Sequence, residues 1–305
     1  MKHDTLASYY SELGRLQFSP GWARPEPSMW PAPKPKFRPA VWRFAEARAA
    51  LDQAGEFVPV EQAERRNLIM VNPIEGNLYA TTRNLVAAYQ CVKAGETART
   101  HRHTPAALRL VLEAKPGTFT VVNGARVEML PGDVVLTPSW SWHGHVNRTD
   151  QTSFWIDFLD IPFVQLTEAM FFEQYPGGGI EPIMSSGPTP FRIACAEALG
   201  AGRDAKLVEI AKGIMPTIAL HLMRQLAGSR VDVARTTTNN IYAVVSGRAR
   251  FTAEGGLAET LGPGDVIALP CWHEHAVDAP EDAIVFRVSD EPLLAKLGLA
   301  RTAAQ

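Results

Sequence analysis

Leu130-Pro-Gly-Asp-Val-Val-Leu-Thr-Pro-Ser-Trp140 is answered, 132 residues later, by Gly262-Pro-Gly-Asp-Val-Ile-Ala-Leu-Pro-Cys-Trp272. Pro131, Gly132, Asp133, Val134, Pro138 and Trp140 return as Pro263, Gly264, Asp265, Val266, Pro270 and Trp272 without a gap. A Pro-Gly turn, a short β-branched run and a second proline are strand punctuation. An internal repeat settles architecture before any single element does, so the chain reads as two copies of one barrel of about 90 residues.

Outward from this repeat, short β-rich runs recur with Gly or Pro between them. In the first copy they cover residues 68–71, 85–92, 108–112, 118–122, 134–137 and 153–158. In the second they cover 241–245, 248–252, 266–269 and 283–288. Such spacing predicts a jelly-roll barrel. Residues 164–175 read as a helix broken at Pro176-Gly-Gly-Gly179, and a mixed linker runs on to about residue 211. Before the first copy, residues 4–15 read as a helix capped by Asp4 or Thr5, and residues 43–54 and 60–66 also read as helical. Between them lies an arm from Pro20 to Pro39 in which Pro25, Pro27, Pro31, Pro33 and Pro35 disfavour helix and central strand. Its Trp22, Met29, Trp30 and Phe37 suit a surface contact, with a neighbouring subunit or a local packing partner both open.

The expected class is therefore all-β dominated, with these divisions: an N-terminal helical and proline-rich part at 1–66, a first barrel at 67–163, a helical linker at 164–211, a second barrel at 212–298 and a tail at 299–305. With 46% hydrophobic and 20% charged residues, the 305-residue chain has ample material for a core. A net charge of −2 gives no basic field for nucleic acid. The apolar runs are too short to span a bilayer, and the first residues lack an apolar signal core. Three widely spaced cysteines, Cys91, Cys195 and Cys271, fit free thiols in a reducing cytoplasm.

Chemistry concentrates in the first copy. Gly95-Glu-Thr-Ala-Arg-Thr-His101-Arg-His103 offers two imidazoles at strand spacing, and residues i and i+2 share a face. His143-Gly-His145 repeats the pattern after Pro138. Six of the eight histidines lie in these windows or their repeat counterpart, His273 and His275. A lone buried histidine is an ordinary core residue; two His-x-His pairs closing one barrel point to a metal site.

The spacing Gly95-x5-His101-x-His103, then Gly132-x5-Pro138-x4-His143-x3-Asn147, resembles the two cupin motifs. Many metal cupins add a glutamate where this chain has Ala107 or Leu108. The longer strings His101-Arg-His-Thr-Pro-Ala-Ala-Leu-Arg109, Thr137-Pro-Ser-Trp-Ser-Trp-His-Gly-His145 and Trp155-Ile-Asp-Phe-Leu-Asp-Ile-Pro162 resemble the gentisate 1,2-dioxygenase family, which includes salicylate and 1-hydroxy-2-naphthoate dioxygenases. Ala63-Glu-Arg-Arg-Asn-Leu-Ile-Met-Val-Asn-Pro73 and Met215-Pro-Thr217 extend the likeness, which runs over residues 40–298.

The resemblance implies a bicupin with one Fe(II) per subunit in the first barrel, held by His101, His103 and His143. Three neutral imidazoles leave the ion its charge and open positions for a hydroxy acid and dioxygen. The spacing itself suits zinc as well. Arg109, six residues past His103 and on the same face of a regular strand, is expected to grip the substrate carboxylate. Its alternative is a structural ion pair. His145 is implied as a group hydrogen-bonding substrate or oxygen, and Asp157 as the carboxylate orienting His145 or a ligand. Gln90 and Trp155 are implied pocket residues, with plain core packing open for Trp155. Arg65 and Arg83 are candidates for substrate contact. In the second copy, Ala234 and Thr236 or Val233 and Arg235 replace the first histidine pair, depending on frame, so that barrel is expected to be structural.

The expected activity is cleavage of a salicylate-type hydroxybenzoate between its carboxyl- and hydroxyl-bearing carbons: gentisate, salicylate, a 5-substituted salicylate or 1-hydroxy-2-naphthoate. The expected partners are the aromatic acid and dioxygen, and the expected assembly a homotetramer or homodimer in the cytoplasm. The competing readings are a non-catalytic cupin that binds a small aromatic acid, and a zinc or manganese isomerase or hydrolase.

Overall fold

The computed structural model describes residues 4–63, 65–202 and 204–303. Met1–Lys36 and Phe37–Gln305 are two compact units. In the first, the helix Leu6–Arg15 is capped by Thr5, whose hydroxyl accepts the Ser8 amide at 3.1 Å. Residues 16–36 then carry neither helix nor strand, as the prolines dictate.

The second unit holds both barrels. One sheet of the first barrel orders its strands Arg192–Ala194, Asp133–Thr137, Ala107–Glu113, Ser153–Leu159, Val86–Val92 and Arg66–Ile69. The other orders Phe172–Gln174, Thr97–His103, His143–Asn147, Thr118–Val122, Ala125–Glu128 and Ser185–Ser186. The second barrel repeats the first sheet as Ala40–Trp42, Val266–Leu269, Asn240–Ser246, Ala283–Ser289, Ala219–Gln225 and Lys206–Ile210. Its facing sheet is Arg230–Val233, His275–Asp278, Ala249–Ala253 and Leu257–Leu261.

The outer face of the first barrel's sheet that carries Val86–Val92 meets that of the second barrel's six-stranded sheet. Tyr89, Leu108, Leu110 and Ile156 of the first pack with Leu220, Leu222, Ile241 and Phe286 of the second. Strands buried on both faces need apolar residues at nearly every position, which is why 86–92 and 153–159 lack a clean alternation. No helix among the described residues is long and apolar enough to cross a membrane.

The repeated aspartate of the Pro-Gly-Asp turn has a further task. Asp133 accepts Arg192 Nε at 2.6 Å, from the strand that precedes the second barrel but pairs with the first. Asp265 accepts Arg43 Nη1 at 3.1 Å and the Phe44 amide at 2.9 Å, beside the strand that precedes the first barrel but pairs with the second. The two barrels thus exchange their leading strands. Two further aspartates repeat the exchange: Asp160 accepts the Thr217 hydroxyl at 2.6 Å, and Asp290 accepts Asn84 Nδ2 at 2.8 Å.

Three expectations need correction. Residues 164–175 do not form one helix: Ile161–Leu166 is helical, and Phe172–Gln174 is a strand pairing with Thr97–His103. The stretch 164–211 is mostly not helical either, since among its described residues only Cys195–Leu199 adds to that short helix. Phe172–Gln174, Ser185–Ser186, Arg192–Ala194 and Lys206–Ile210 are instead edge strands, because the open edges of the barrel sheets offer unpaired backbone groups. The strand Lys206–Ile210 already belongs to the second barrel's sheet, ahead of residue 212.

Candidate metal centre and acid pocket

His101 and His103 end one strand and His143 begins its neighbour, with His101 directly opposite His143. Pairing between these strands slips between Ala98 and His101, and such an irregularity re-aims the side chains beyond it. One potential ligand atom from each of the three imidazoles lies within 4.8 Å of the others.

Backbone carbonyls set the tautomers. His101 Nδ1 faces Arg99 O at 3.2 Å, His103 Nδ1 faces Pro105 O at 2.8 Å and His143 Nδ1 faces Ser141 O at 3.0 Å. A carbonyl only accepts, so each Nδ1 carries the hydrogen and each Nε2 keeps its lone pair. Burial, then the charge of Arg65, lowers His101 to about 3; burial lowers His103 to about 4. His143 is held well below its ordinary value by burial and then by Arg109. Three neutral imidazoles with converging lone pairs, one of them a buried Nε2 without a hydrogen-bond partner, fit a divalent transition metal. Among the described residues no carboxylate joins the set, in line with Ala107 and Leu108 in the glutamate positions.

Trp140 supports this centre from its turn. Its backbone is left-handed, with φ 64°, and its amide donates to His103 O at 2.9 Å. Arg102 stacks over both Trp140 and Trp142, at 4.3 and 4.4 Å from the ring centres.

Beneath the histidines lies a second polar group. Arg109 is fully buried, but it does not continue the strand of His103: that strand ends at His103, and Arg109 lies on Ala107–Glu113 in the opposite sheet. Barrel closure, rather than strand periodicity, brings them together. Arg109 donates Nη1 to Thr137 Oγ1 at 3.1 Å, and its Nε lies 3.2 Å from Asp157 Oδ1. Burial lowers Arg109 to about 10 while Asp157 attraction opposes it; burial raises Asp157 while Arg109 and Arg65 oppose that. Gln90 donates Nε2 to Asp157 Oδ2 at 2.6 Å.

Asp157 therefore orients Arg109, not His145. The partner of His145 is Thr120, whose hydroxyl lies 2.9 Å from Nδ1. The Trp155 ring packs against His145 with centres 5.2 Å apart, above Val92, Val111, Val122, Val127, Met129 and Val135. Arg109 Nη2, Gln90 Oε1 and His145 Nε2 are all buried without a hydrogen-bond partner. Such groups are costly unless a ligand or water satisfies them.

Arg65 is half-buried, and its charge acts on His101, His103, His145, Arg109 and Asp157. Arg83 departs from expectation. It is exposed, stacks 4.9 Å over the Phe37 ring, and its field falls on Cys271 of the second barrel. Its place in the connection between the paired strands Arg66–Ile69 and Val86–Val92 could not be read from its neighbours in sequence.

In the second barrel Val233 lies opposite His275 as His101 lies opposite His143. Thr236 O takes the Trp272 amide as His103 O takes that of Trp140. The first histidine pair is thus replaced by Val233 and Thr236, one residue from each sequence frame. Tyr242, standing where Arg109 stands in the first barrel, hydrogen-bonds His275 Nε2 at 2.9 Å. Met223, Val244, Phe251 and Val277 fill the interior.

Comparison with known proteins bears on this arrangement. Residues 88–159 match the cupin domain. The chain is 30% identical to a 5-aminosalicylate 1,2-dioxygenase of Comamonas sp, over 98% of this chain and 90% of that one. It is 31% identical to a gentisate 1,2-dioxygenase of Streptomyces sp, over 97% and 95%. Among solved structures, a salicylate 1,2-dioxygenase from Pseudaminobacter salicylatoxidans superposes with a TM-score of 0.87 at 28% identity, covering 99% of both chains. That enzyme has also been solved with gentisate.

Proposed function

We propose that this chain, which belongs to the gentisate and salicylate 1,2-dioxygenase family, is an iron(II)-dependent dioxygenase. It opens a salicylate-type hydroxybenzoate between the carbons bearing the carboxyl and hydroxyl groups. The substrates in view are gentisate, salicylate, a 5-substituted salicylate and 1-hydroxy-2-naphthoate. The observation that carries this reading is the pairing of three metal-ready imidazoles with a fully buried arginine that has a donor to spare.

His101, His103 and His143 would hold the iron, one per subunit, which supplies the redox partner that lets dioxygen react with an aromatic ring. Both oxygen atoms enter the product as the ring bond breaks, so the acid supplies all the electrons and no further reductant is required. Arg109 receives the acid's carboxylate through Nη2. Asp157, itself held by the Gln90 amide, pairs with the guanidinium and keeps its charge compensated while the pocket is empty. Arg65 adds positive potential that draws an anion inward. His145 presents Nε2 to the ring substituents, and Trp155 closes the apolar wall beneath it. The second barrel, with His275 capped by Tyr242, serves packing and assembly, the assembly being a homotetramer or homodimer in the cytoplasm.

The test is anaerobic loading with iron(II), followed by oxygen uptake with each acid of the panel. Uptake with new ring-opened absorbance is expected for at least one. Silence with every acid, in protein shown to hold iron, overturns the reading.

A further inference from the structure

Thr120 is 0% exposed and sits directly across the strand pair from His145. Its hydroxyl makes two contacts, 2.9 Å to His145 Nδ1 and 3.3 Å to Met129 Sδ. A hydroxyl has one hydrogen, and a thioether only accepts. Both contacts are satisfied in a single arrangement: Thr120 donates to Met129, and His145 donates Nδ1–H to Thr120. His145 Nε2 then carries a bare lone pair, and this atom is buried without a partner.

The second barrel supplies an independent observation. Its residues at these two positions are Phe251 and Val277, again directly opposite each other, and both are plain core. The hydroxyl–imidazole pair is therefore present where the three metal-ready histidines are present, and gone where they are gone. Closing a β-barrel does not require it.

We infer that Thr120, with Met129 behind it, is the positioning residue that fixes the His145 tautomer, so that Nε2 faces the pocket as a hydrogen-bond acceptor. The inference rests on the reading of this pocket as the acid site and deepens it. An acceptor at that place selects aromatic acids that offer a hydrogen, an ortho hydroxyl above all. A pocket built with an unpaired acceptor discriminates strongly against an analogue that cannot fill it.

The test uses the full chain loaded with zinc(II), which is diamagnetic and does not turn over. Nitrogen-15 resonances of labelled histidine report which ring nitrogen of His145 carries the hydrogen, with assignment by His145→Gln. The expected result is a hydrogen on Nδ1 in the parent protein. Thr120→Val keeps the shape and removes the hydroxyl. It should lose this single tautomer and bind salicylate about five- to tenfold more weakly, the loss of one hydrogen bond. Benzoate, which lacks the hydroxyl, should bind both proteins alike, zinc content should be unchanged, and Thr120→Ser should restore salicylate binding. A hydrogen on Nε2 in the parent protein overturns the inference, and so does unaltered salicylate affinity in Thr120→Val. Should Thr120→Val not fold, the parent spectrum and Thr120→Ser still decide. Failure of oxygen uptake with every acid would remove the ring-cleaving reading and leave this tautomer measurement standing.

Discussion

Arg109 and Asp157 face each other on neighbouring strands of the first barrel, Nε 3.2 Å from Oδ1, with both side chains 1% exposed. The contact is an ion pair rather than an aligned hydrogen bond, and it leaves Arg109 Nη2 unpartnered. Removing one member strands the other's charge in the barrel. Asp157→Ala should therefore lower stability by about 3–5 kcal/mol in denaturant unfolding. Arg109→Lys should keep the fold and weaken binding of the acid by about tenfold or more, because an ammonium cannot offer the planar fork. Equal acid affinity in Arg109→Lys and the parent would remove Arg109 from the carboxylate site.

Replacing His101, His103 or His143 with alanine should abolish tight iron binding, measured as metal content after dialysis, with ring cleavage falling by more than about a hundredfold. His275→Ala should leave metal content unchanged. It should instead cost about 1–3 kcal/mol of stability, because the Tyr242 hydroxyl loses its buried partner. Loss of iron from His275→Ala would show that the second barrel takes part in metal binding.

The histidines make metal-free stability depend on pH. His101 lies at about 3, and His103 and His275 at about 4, against 6.5 for an ordinary imidazole. The unfolded chain therefore takes up protons first. Their contribution to stability is complete above about pH 6.5 and drains away as pH falls toward 4. The buried carboxylates Asp160 and Asp290, whose pKa values are raised by burial, act in the opposite sense, adding stability as pH falls through those raised values. Thermal unfolding of the metal-free protein should show a midpoint that falls between pH 6.5 and 5, and a flat profile there would contradict the assignment of neutral buried histidines.

The reciprocal grip between barrels predicts matched losses. Thr217→Val removes the hydroxyl held by Asp160, and Asn84→Ala removes the amide held by Asp290. Each should cost about 1.5–3 kcal/mol, the range for a hydrogen bond to a charged group. Denaturant unfolding of each variant would reveal whether the two barrels melt as one.

Gly144 separates His143 from His145 on the outer face of their strand. A Cβ there would lie 2.6 Å from Thr100 Oγ1 and 2.7 Å from Ile180 Cδ1. Gly144→Ala should cost about 1–3 kcal/mol through overpacking and should weaken iron binding by displacing the strand that carries His143. Unchanged iron affinity in a destabilised variant would confine the effect to packing.

The sequence by itself determined the duplication, the strand content and the three metal-ready histidines. Pro-Gly-Asp turns and His-x-His pairs are local patterns whose meaning follows from backbone periods and residue chemistry. The local pattern of the linker suggests a helix that does not form, because edge pairing is a tertiary opportunity: residues 172–174 become a strand only where Thr97–His103 offers an open edge. Tertiary structure alone decided which groups meet across the barrel. Arg109 reaches the histidines from the opposite sheet, Asp157 serves Arg109, and His145 is held by Thr120, a residue no motif marks. These pairings depend on cross-strand register, and register is set by the closing of both sheets around one core, which no stretch of chain encodes locally.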